Sequence, residues 1–457
     1  MTEMLTKILR WIGLDRAISY GVFTRVWSLF AGPVTLLMIA SRLSKDQQGY
    51  YYTIGSLLAL QLFFELGLMT VLSQFASHEF VNLRWGARGS IEGDPVARER
   101  FLDLLCKAAR WFAVASLLLA VALIPAGLLF LDGVRGASVD FSWRLPWILA
   151  VLGTAANLFT VPFFSVIMGS GDVVTVNHRE MVGAVLSSVL CWLVLGLHGG
   201  LFSVFAVTCG SVFISWSYLV RHKPALLAVT WKRMFAAEVE RNPDAAISWW
   251  GEVWPMQWKI ALTWISGYFI FQLFTPVLFR YQGAAVAGQM GMTLSAANAL
   301  LGVSLSWVNT RGPELGKCVA TRNWAAMDAL FRRILMQATA VAMVGALCGW
   351  VMIRILQEYF IIGQRFIPAS HAALLFATIC INVVIAAFGA YLRAHKQEPF
   401  LPLSMVLGVV QGLATWYLGM NYSTLGVTAG FFVVHLVISL PFSVLIWRKC
   451  REKWHAA

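Results

Sequence analysis

The sequence predicts an all-α integral membrane protein of about twelve transmembrane helices. Hydrophobic residues make up 59% of the 457 residues and charged residues only 12%, against roughly 25% charged in an average soluble domain. A soluble fold of this size could not cover its surface with so few charges. Apolar segments also recur along the whole chain, and each approaches the ~20 residues that a helix needs to cross a bilayer.

The predicted spans are separated by short polar breaks, the shortest of which come before the sixth and the twelfth span. The twelve segments lie at 17–43, 50–72, 105–131, 145–168, 182–199, 201–220, 259–280, 284–306, 328–355, 371–393, 401–420 and 424–447.

The Lys and Arg residues predict the orientation. With the N-terminus in the cytosol, 27 of them fall on the cytosolic side and 7 on the external side, and Arg25 lies inside the first span. Cytosolic loops of membrane proteins carry an excess of Lys and Arg. This distribution predicts that both termini are cytosolic and that the number of spans is even. The net charge of +13 is therefore interpreted as membrane sidedness, with no nucleic acid as a partner.

The longest predicted cytosolic connection divides the chain. It predicts an N-terminal six-helix lobe over 1–220, a connecting segment over 221–258 and a C-terminal six-helix lobe over 259–457. A short internal repeat supports the division, because similar apolar strings at 29–34 and 273–277 are each followed by a glycine, Gly49 and Gly288. A chance match is the alternative. Transporters are often built from two such repeats, with the substrate path between them.

Two ionisable residues lie clearly within the predicted hydrocarbon region. Arg25 is roughly 12 Å from the cytosolic end of span one, and Glu65 is roughly 10 Å from the cytosolic end of span two. Ionisable groups at such depths usually face a partner or a cavity. We expect the two either to pair or to share one water-filled cavity. A structural ion pair is one reading; in the other, Arg25 binds an anionic substrate while Glu65 tunes it or exchanges a proton.

Further candidate binding residues are cations at the cytosolic ends of spans and amides inside them. Positive-inside residues that contact lipid headgroups are the alternative for the cations, and hydrogen bonds between helices are the alternative for the amides. The cations are Lys107, Arg110, Arg179, Lys259 and Arg311, and the candidate amides for a hydrated sugar path are Gln272 and Gln289.

Several function classes are disfavoured by what the sequence lacks. It contains no Walker A loop, no HExxH and no Rossmann glycine pattern, and none of its seven cysteines belongs to a cluster with metal-ligand spacing. We therefore predict no cofactor and no metal. The external loops are short, which argues against a membrane glycosyltransferase or polymerase. Energy would come from an ion gradient or from consumption of the substrate on the far side.

Three stretches resemble the bacterial polysaccharide-biosynthesis flippases, which translocate lipid-linked oligosaccharides of the O-antigen type. These flippases belong to the multidrug, oligosaccharidyl-lipid and polysaccharide exporter superfamily. The first stretch is 43–51 with 64–68, where an acidic residue precedes a glycine. The second runs from 254–259 through 266–269, and the third from 287–289 through 307–310 to Pro313. Together they cover about a quarter of the chain.

The resemblance implies two six-helix lobes around a central cavity that opens alternately to each side. It also implies an undecaprenyl-diphosphate-linked oligosaccharide as cargo in the bacterial inner membrane, and a cationic cavity in which Arg25, and with it Glu65, takes part. Membrane lipids, a coupling proton or sodium ion, and a glycan polymerase or glycosyltransferase are the implied partners. A multidrug or cation antiporter of the same superfamily is the alternative, although its site should be rich in acids, and a membrane glycosyltransferase or polymerase is a third hypothesis.

Overall fold

A computed structural model describes residues 16–133, 141–235, 247–395 and 397–455 of the chain, and these are almost wholly helical. Within these ranges, nine helices are long and apolar enough to cross a membrane, and the number rises to eleven if each of two bent helix pairs is one span. One of the nine, Leu401–His455, covers the last two predicted spans and breaks at Ser423. The prediction of about twelve spans is therefore confirmed, and the protein is a multi-pass membrane protein.

The chain forms two compact units. The first comprises the described parts of 1–31, 60–129 and 140–264. It contains the start of α1 (Arg16–Arg42), most of α5 (Pro95–Asp132) and the start of α11 (Trp254–Phe271). Its other elements are α3 (Leu62–Glu65), α4 (Leu68–Glu79), β1 (Leu83–Trp85), β2 (Ile91–Gly93), α6 (Arg144–Leu158), α7 (Val161–Gly169), α8 (Val173–Gly196), α9 (Phe202–His222) and α10 (Pro224–Phe235).

The second unit comprises 32–59, a short stretch that begins at Phe130, and the chain from Ile265 onward. It contains the ends of α1, α5 and α11. Its other elements are α2 (Lys45–Leu58), α12 (Phe274–Gln282), α13 (Ala284–Thr310), α14 (Gly312–Ala320), α15 (Trp324–Tyr359), α16 (Ala369–Ala394), α17 (Leu401–Val434) and α18 (Leu440–His455). The division into lobes at 220 and 259 stays a prediction, and residues 236–246 of its connecting segment lie outside the described residues.

The second span is bent, which its hydropathy does not indicate. It begins at Lys45 with a capping box, in which Ser44 accepts from the N–H of Gln47 and the Gln47 side chain accepts from the N–H of Ser44, so that two orphan donors are satisfied. It bends by 43° after Glu65. Leu66 and Gly67 there have φ of 51° and 64°, a left-handed conformation that ends a helix and that glycine adopts at little cost.

A short hairpin between α4 and α5 departs from the all-helical expectation. Residues Leu83–Trp85 pair antiparallel with Ile91–Gly93. Each strand has only three residues, which is too short for an alternating hydrophobic pattern to reveal it. The hairpin lies in the predicted cytosolic connection after span two.

The last described helix, α18, is fixed within the second unit by a polar and aromatic cluster. The Tyr391 hydroxyl lies 3.1 Å from Oδ1 of Asp328 and 2.9 Å from Nε2 of His455. Arg451 forms an ion pair with the same aspartate, and the ring of Trp324 stacks on His455 at 4.5 Å. The final helix is therefore attached to α15 and α16 as far as its last turn.

Candidate functional site

Helix α1, which carries Arg25, packs through one face onto α8 within the first unit. The Trp27 ring lies 5.8 Å from that of Trp192, and its Nε1 donates to Oγ of Ser188 at 3.4 Å. Near the start of the helix, the Tyr20 ring lies 4.9 Å from His178. These contacts fix the rotation of α1, and hence the direction in which its other faces point.

A second face of α1 carries small and polar residues at helical spacing. Gly21, Arg25, Ser28, Gly32 and Thr35 succeed one another at intervals of four and three residues, which places them on one stripe. Arg25 and Ser28 are exposed, and the space beside Gly32 is open. A third face is exposed and apolar, as expected of a surface that meets lipid. It consists of Val22, Phe23, Val26, Leu29, Phe30 and Leu37.

Arg25 therefore lies on the polar stripe of a membrane-spanning helix and away from its apolar face. Within the described part of the chain it forms no ion pair and no side-chain hydrogen bond. The N–H donors of a guanidinium at this position are satisfied only by water or by an anionic ligand, because hydrocarbon offers no acceptors. This geometry suits an anion-binding group.

Glu65 is buried, with 6% of its surface exposed. It is the last residue of α3, directly before the bend, and α11 packs against that bend: a Cβ on Gly67 would lie 2.3 Å from Cγ2 of Ile260. No ion pair joins Glu65 to Arg25 among the residues described. The paired arrangement is thus not adopted in this structure, and the shared cavity stays a prediction.

Lys107 and Arg110, both predicted to bind substrate, contact the connecting segment within the first unit. The Lys107 ammonium lies 2.7 Å from Oδ2 of Asp103 and donates to the Ile247 carbonyl. Arg110 donates to the carbonyls of Arg233 and Met234 at 2.8 and 3.0 Å. A cation that binds the last carbonyls of a helix satisfies orphan acceptors and complements the helix dipole. Both side chains attach the connecting segment to α5.

Further ion pairs on α5 extend this attachment, and sequence reasoning missed them. Arg233 donates to both carboxylate oxygens of Glu99 at 2.9 and 2.8 Å, and these hydrogen bonds raise the pKa of the guanidinium above its ordinary value. Arg100 pairs with Glu79 and with Glu252. The alternation of acids and bases over 95–110 is the signal that could have revealed the cluster, since charges three or four residues apart share a helix face.

The remaining cations differ in their surroundings. Arg179 donates to Oγ of Ser215 at 2.7 Å, and its guanidinium lies 4.4 Å from the centre of the Phe164 ring. Arg311 pairs with Glu314 at 2.7 Å in an exposed position. Lys259 is exposed on α11, and its ammonium lies 5.9 Å from the centre of the Trp258 ring. Their role as cargo ligands stays a prediction.

The two predicted amides lie in the second unit. Gln272 is half-buried at the 41° bend between α11 and α12, and its side chain makes no hydrogen bond within the described ranges. Gln289 donates to the carbonyl of Gln364 at 2.8 Å. Gln364 belongs to the single turn Ile361–Arg365, which precedes α16 on the predicted external side.

A network around Gln48 joins the same turn to α2 and α13. The buried Gln48 amide donates to the carbonyls of Gly288 and Arg365 at 2.9 and 3.1 Å. Arg365 in turn donates to the carbonyl of Leu43 at 2.7 Å, and Lys45 donates to Oε1 of Gln364 at 2.9 Å. These hydrogen bonds hold the predicted external ends of α2 and α13 together.

The two glycines of the internal repeat, Gly49 and Gly288, lie against one another where α2 and α13 meet. A Cβ on Gly49 would lie 1.9 Å from the carbonyl oxygen of Ala284, and one on Gly288 would lie 2.8 Å from the nitrogen of Gly49. Only hydrogen atoms fit between the two backbones, so both positions require glycine.

Comparison with solved structures supports the fold. The chain superposes on the lipid II flippase MurJ in its inward closed conformation with a TM-score of 0.62 and 12% identity, covering 96% of this chain and 90% of that one. For the MATE multidrug transporter DinF-BH, solved with a bound ligand, the TM-score is 0.54 at 15% identity, covering 97% and 96%.

The MATE transporter VcmN of Vibrio cholerae, solved as a mutant, gives a TM-score of 0.52 at 13% identity, covering 96% of this chain and 97% of that one. No protein-family model and no curated protein matches the sequence. At these identities the likeness shows the fold alone. The chain has the fold shared by these flippase and multidrug-transporter structures.

Proposed function

We propose that this protein is a flippase that moves an undecaprenyl-diphosphate-linked oligosaccharide from the cytosolic to the periplasmic leaflet of a bacterial inner membrane. Such a cargo carries an anionic diphosphate and a polar glycan through an apolar layer of ~30 Å. The observation that carries the proposal is the position of Arg25, exposed on the polar stripe of α1 and without an ion pair in the described structure.

The chemistry of a guanidinium suits this cargo. Its planar fork donates two parallel hydrogen bonds to phosphate oxygens and keeps its charge at all physiological pH values. Arg25 would replace part of the water around the diphosphate while the polyprenyl tail stays in lipid. No described atom lies within 4 Å of a Cβ built on Gly32, two turns further along the same stripe, which leaves room along the helix for a bulky headgroup.

The charges of the described spans favour this proposal over a cation antiporter. A site for cationic drugs should expose acids, yet Glu65 is buried while Arg25 is exposed. We also propose that Glu65 exchanges the coupling proton.

The test is the leaflet that holds the lipid-linked glycan in a gene-deleted strain. Cells complemented with wild type should carry it in the outer leaflet, and cells without the gene should retain it in the inner one. Arg25→Ala should fail to restore translocation, because it removes the anion-binding fork. We expect Arg25→Lys to restore only part of it, since an ammonium keeps the charge but loses the paired geometry.

Arg333→Ala is the matched control, because Arg333 is an exposed cation on α15 outside the proposed site. It should translocate as wild type does. Normal glycan in the outer leaflet of the deletion strain would overturn the flippase assignment, and drug efflux would then be measured. Normal translocation by Arg25→Ala would remove Arg25 from the mechanism.

A further inference from the structure

An exposed apolar groove runs along one side of the first unit. Its first part, of about 480 Å³, lies between the start of α7, the end of α9 and α10. Its second part, of about 530 Å³, follows α9 alone. Trp216 and Val220 line both parts, so the two parts adjoin along α9.

The length and direction of the groove match a lipid chain. Along α9 it extends from Cys209 to Val220, which is roughly 16 Å at the rise of an α-helix. Cys209 lies near the middle of this span, and Val220 lies two residues before its end at His222. By the distribution of Lys and Arg, that end is the cytosolic one. The groove therefore leads from the middle of the bilayer to the cytosolic headgroup region.

Two cations at the cytosolic end of the groove have no carboxylate partner among the described residues. Arg221 and Lys232 line it, both are exposed, and neither forms an ion pair in the described part of the chain. Their neighbours behave differently: Lys223 lies 3.2 Å from Asp172, and Arg233 pairs with Glu99. The cations that point into the protein are thus paired with carboxylates, whereas no described carboxylate pairs with the two beside the groove.

Helix α10 has the character of a membrane-surface helix at this point. Its inner face buries Leu226 and Thr230, while Trp231 and Phe235 are 59% and 69% exposed. Aromatic residues concentrate at the membrane–water interface, where their rings lie at the level of the headgroups. The outer face of α10 therefore lies among lipids, with Lys232 at headgroup depth.

We propose that this groove binds one anionic phospholipid of the cytosolic leaflet. One acyl chain lies along Trp216 and Val220, and the phosphate is held between Arg221 and Lys232. A phospholipid fits better than the glycan cargo, because the groove presents few groups that could bind sugar hydroxyls. Apart from the two cations and the thiol of Cys209, its polar lining residues are Ser217 and Thr230, and the Thr230 hydroxyl already bonds to the Leu226 carbonyl. The inference does not depend on the proposed function.

The experiment measures lipid retention by the purified full-length protein with native mass spectrometry. The probes are dioleoyl phosphatidylglycerol, dioleoyl phosphatidylcholine and undecaprenyl phosphate. Wild type should retain phosphatidylglycerol in preference to phosphatidylcholine. The double variant Arg221→Ala/Lys232→Ala should bind phosphatidylglycerol roughly tenfold more weakly, given the attraction that each cation near a membrane surface exerts on anionic lipid.

Two further variants distinguish specific binding of phosphatidylglycerol in the groove from a general attraction of anionic lipid to surface cations. Arg332→Ala/Arg333→Ala removes two exposed cations of α15 and should leave phosphatidylglycerol binding unchanged. Leu227→Trp fills the groove and should weaken it as the first pair does. Wild-type retention by Arg221→Ala/Lys232→Ala, or an equal loss in Arg332→Ala/Arg333→Ala, would overturn the proposal even if the filled variant fails to fold. So would a groove that binds undecaprenyl phosphate and not phosphatidylglycerol.

Discussion

Single charged residues in this protein are distinguished by whether the fold gives them a partner. Lys107, Arg110 and Arg311 have partners within their own unit, whereas Arg25 is exposed on a polar stripe and Glu65 is buried without an ion pair in the described ranges. Groups held in this way cost free energy in a membrane. A functional role is the natural reason for a chain to keep them.

Replacement of Glu65 by glutamine should separate proton exchange from structure. The amide keeps the shape but neither charges nor titrates, so we expect the free energy of unfolding to change by less than about 1 kcal/mol, because one buried polar group replaces another. Translocation should lose its dependence on pH, because the group proposed to exchange the coupling proton is gone. Transport in vesicles at graded pH and thermal unfolding in detergent measure the two effects.

Glu79→Gln is the control for this variant, because it removes a paired carboxylate of the same region. Glu79 accepts from Arg100 at 2.9 Å, so its loss should lower stability and leave the pH profile unchanged. An unaltered pH profile in Glu65→Gln would show that Glu65 does not carry the coupling proton.

Sequence reasoning reached Arg25 and Glu65 because hydropathy makes isolated charges in a span conspicuous. It did not assign the contacts of Lys107 and Arg110 with the connecting segment. The positive-inside rule treats each cation only as a marker of its side of the membrane. Besides the Asp103 carboxylate that Lys107 meets on its own helix, the acceptors on the connecting segment are the backbone carbonyls of Ile247, Arg233 and Met234. Carbonyl acceptors leave no trace in side-chain composition.

At the scale of elements, α2 and α13 approach each other very closely within the second unit, at Gly49 and Gly288. Gly49→Ala would place a methyl group 1.9 Å from the Ala284 carbonyl oxygen, which forces the helices apart. We expect a loss of about 1–3 kcal/mol in the free energy of unfolding. The midpoint of thermal unfolding of the purified protein in detergent measures it.

Gly55→Ala, two turns further along α2, is the matched control. No atom lies within 4 Å of its added Cβ, so a better helix former should leave stability unchanged or raise it by about 0.5–1 kcal/mol. Equal effects at both glycines would mean that helix propensity, and not the close crossing, determines the result.

The helices themselves were largely predictable, and their interruptions were not. Runs of apolar residues locate every span, because the bilayer sets their length. The bend after Glu65 depends on two consecutive residues in the left-handed region, Leu66 and Gly67, and only the glycine hints at it. The hairpin at 83–93 has too few residues to show a period. The sequence indicated the contact of Gly49 with Gly288 only through the short internal repeat that contains both glycines.

At the scale of the whole molecule, the orientation in the membrane is the next prediction. In a variant with its seven cysteines replaced by serine, Asp46→Cys should react with a membrane-impermeant maleimide added to intact cells. Arg322→Cys should react only after permeabilisation. Both positions are exposed, and the asymmetry of Lys and Arg places them on opposite sides. The reverse labelling pattern would invert the proposed direction of transport.

The attachment of the last described helix has a practical consequence for observing motion in this protein. Trp324, Tyr391 and Asp328 hold α18 as far as His455. A fluorescent protein fused by a continuous helix directly after His455 would have almost no slack, so its dipole would turn with α15 and α16. Polarised emission from single molecules would then record any rotation of these helices, without a label on the cargo.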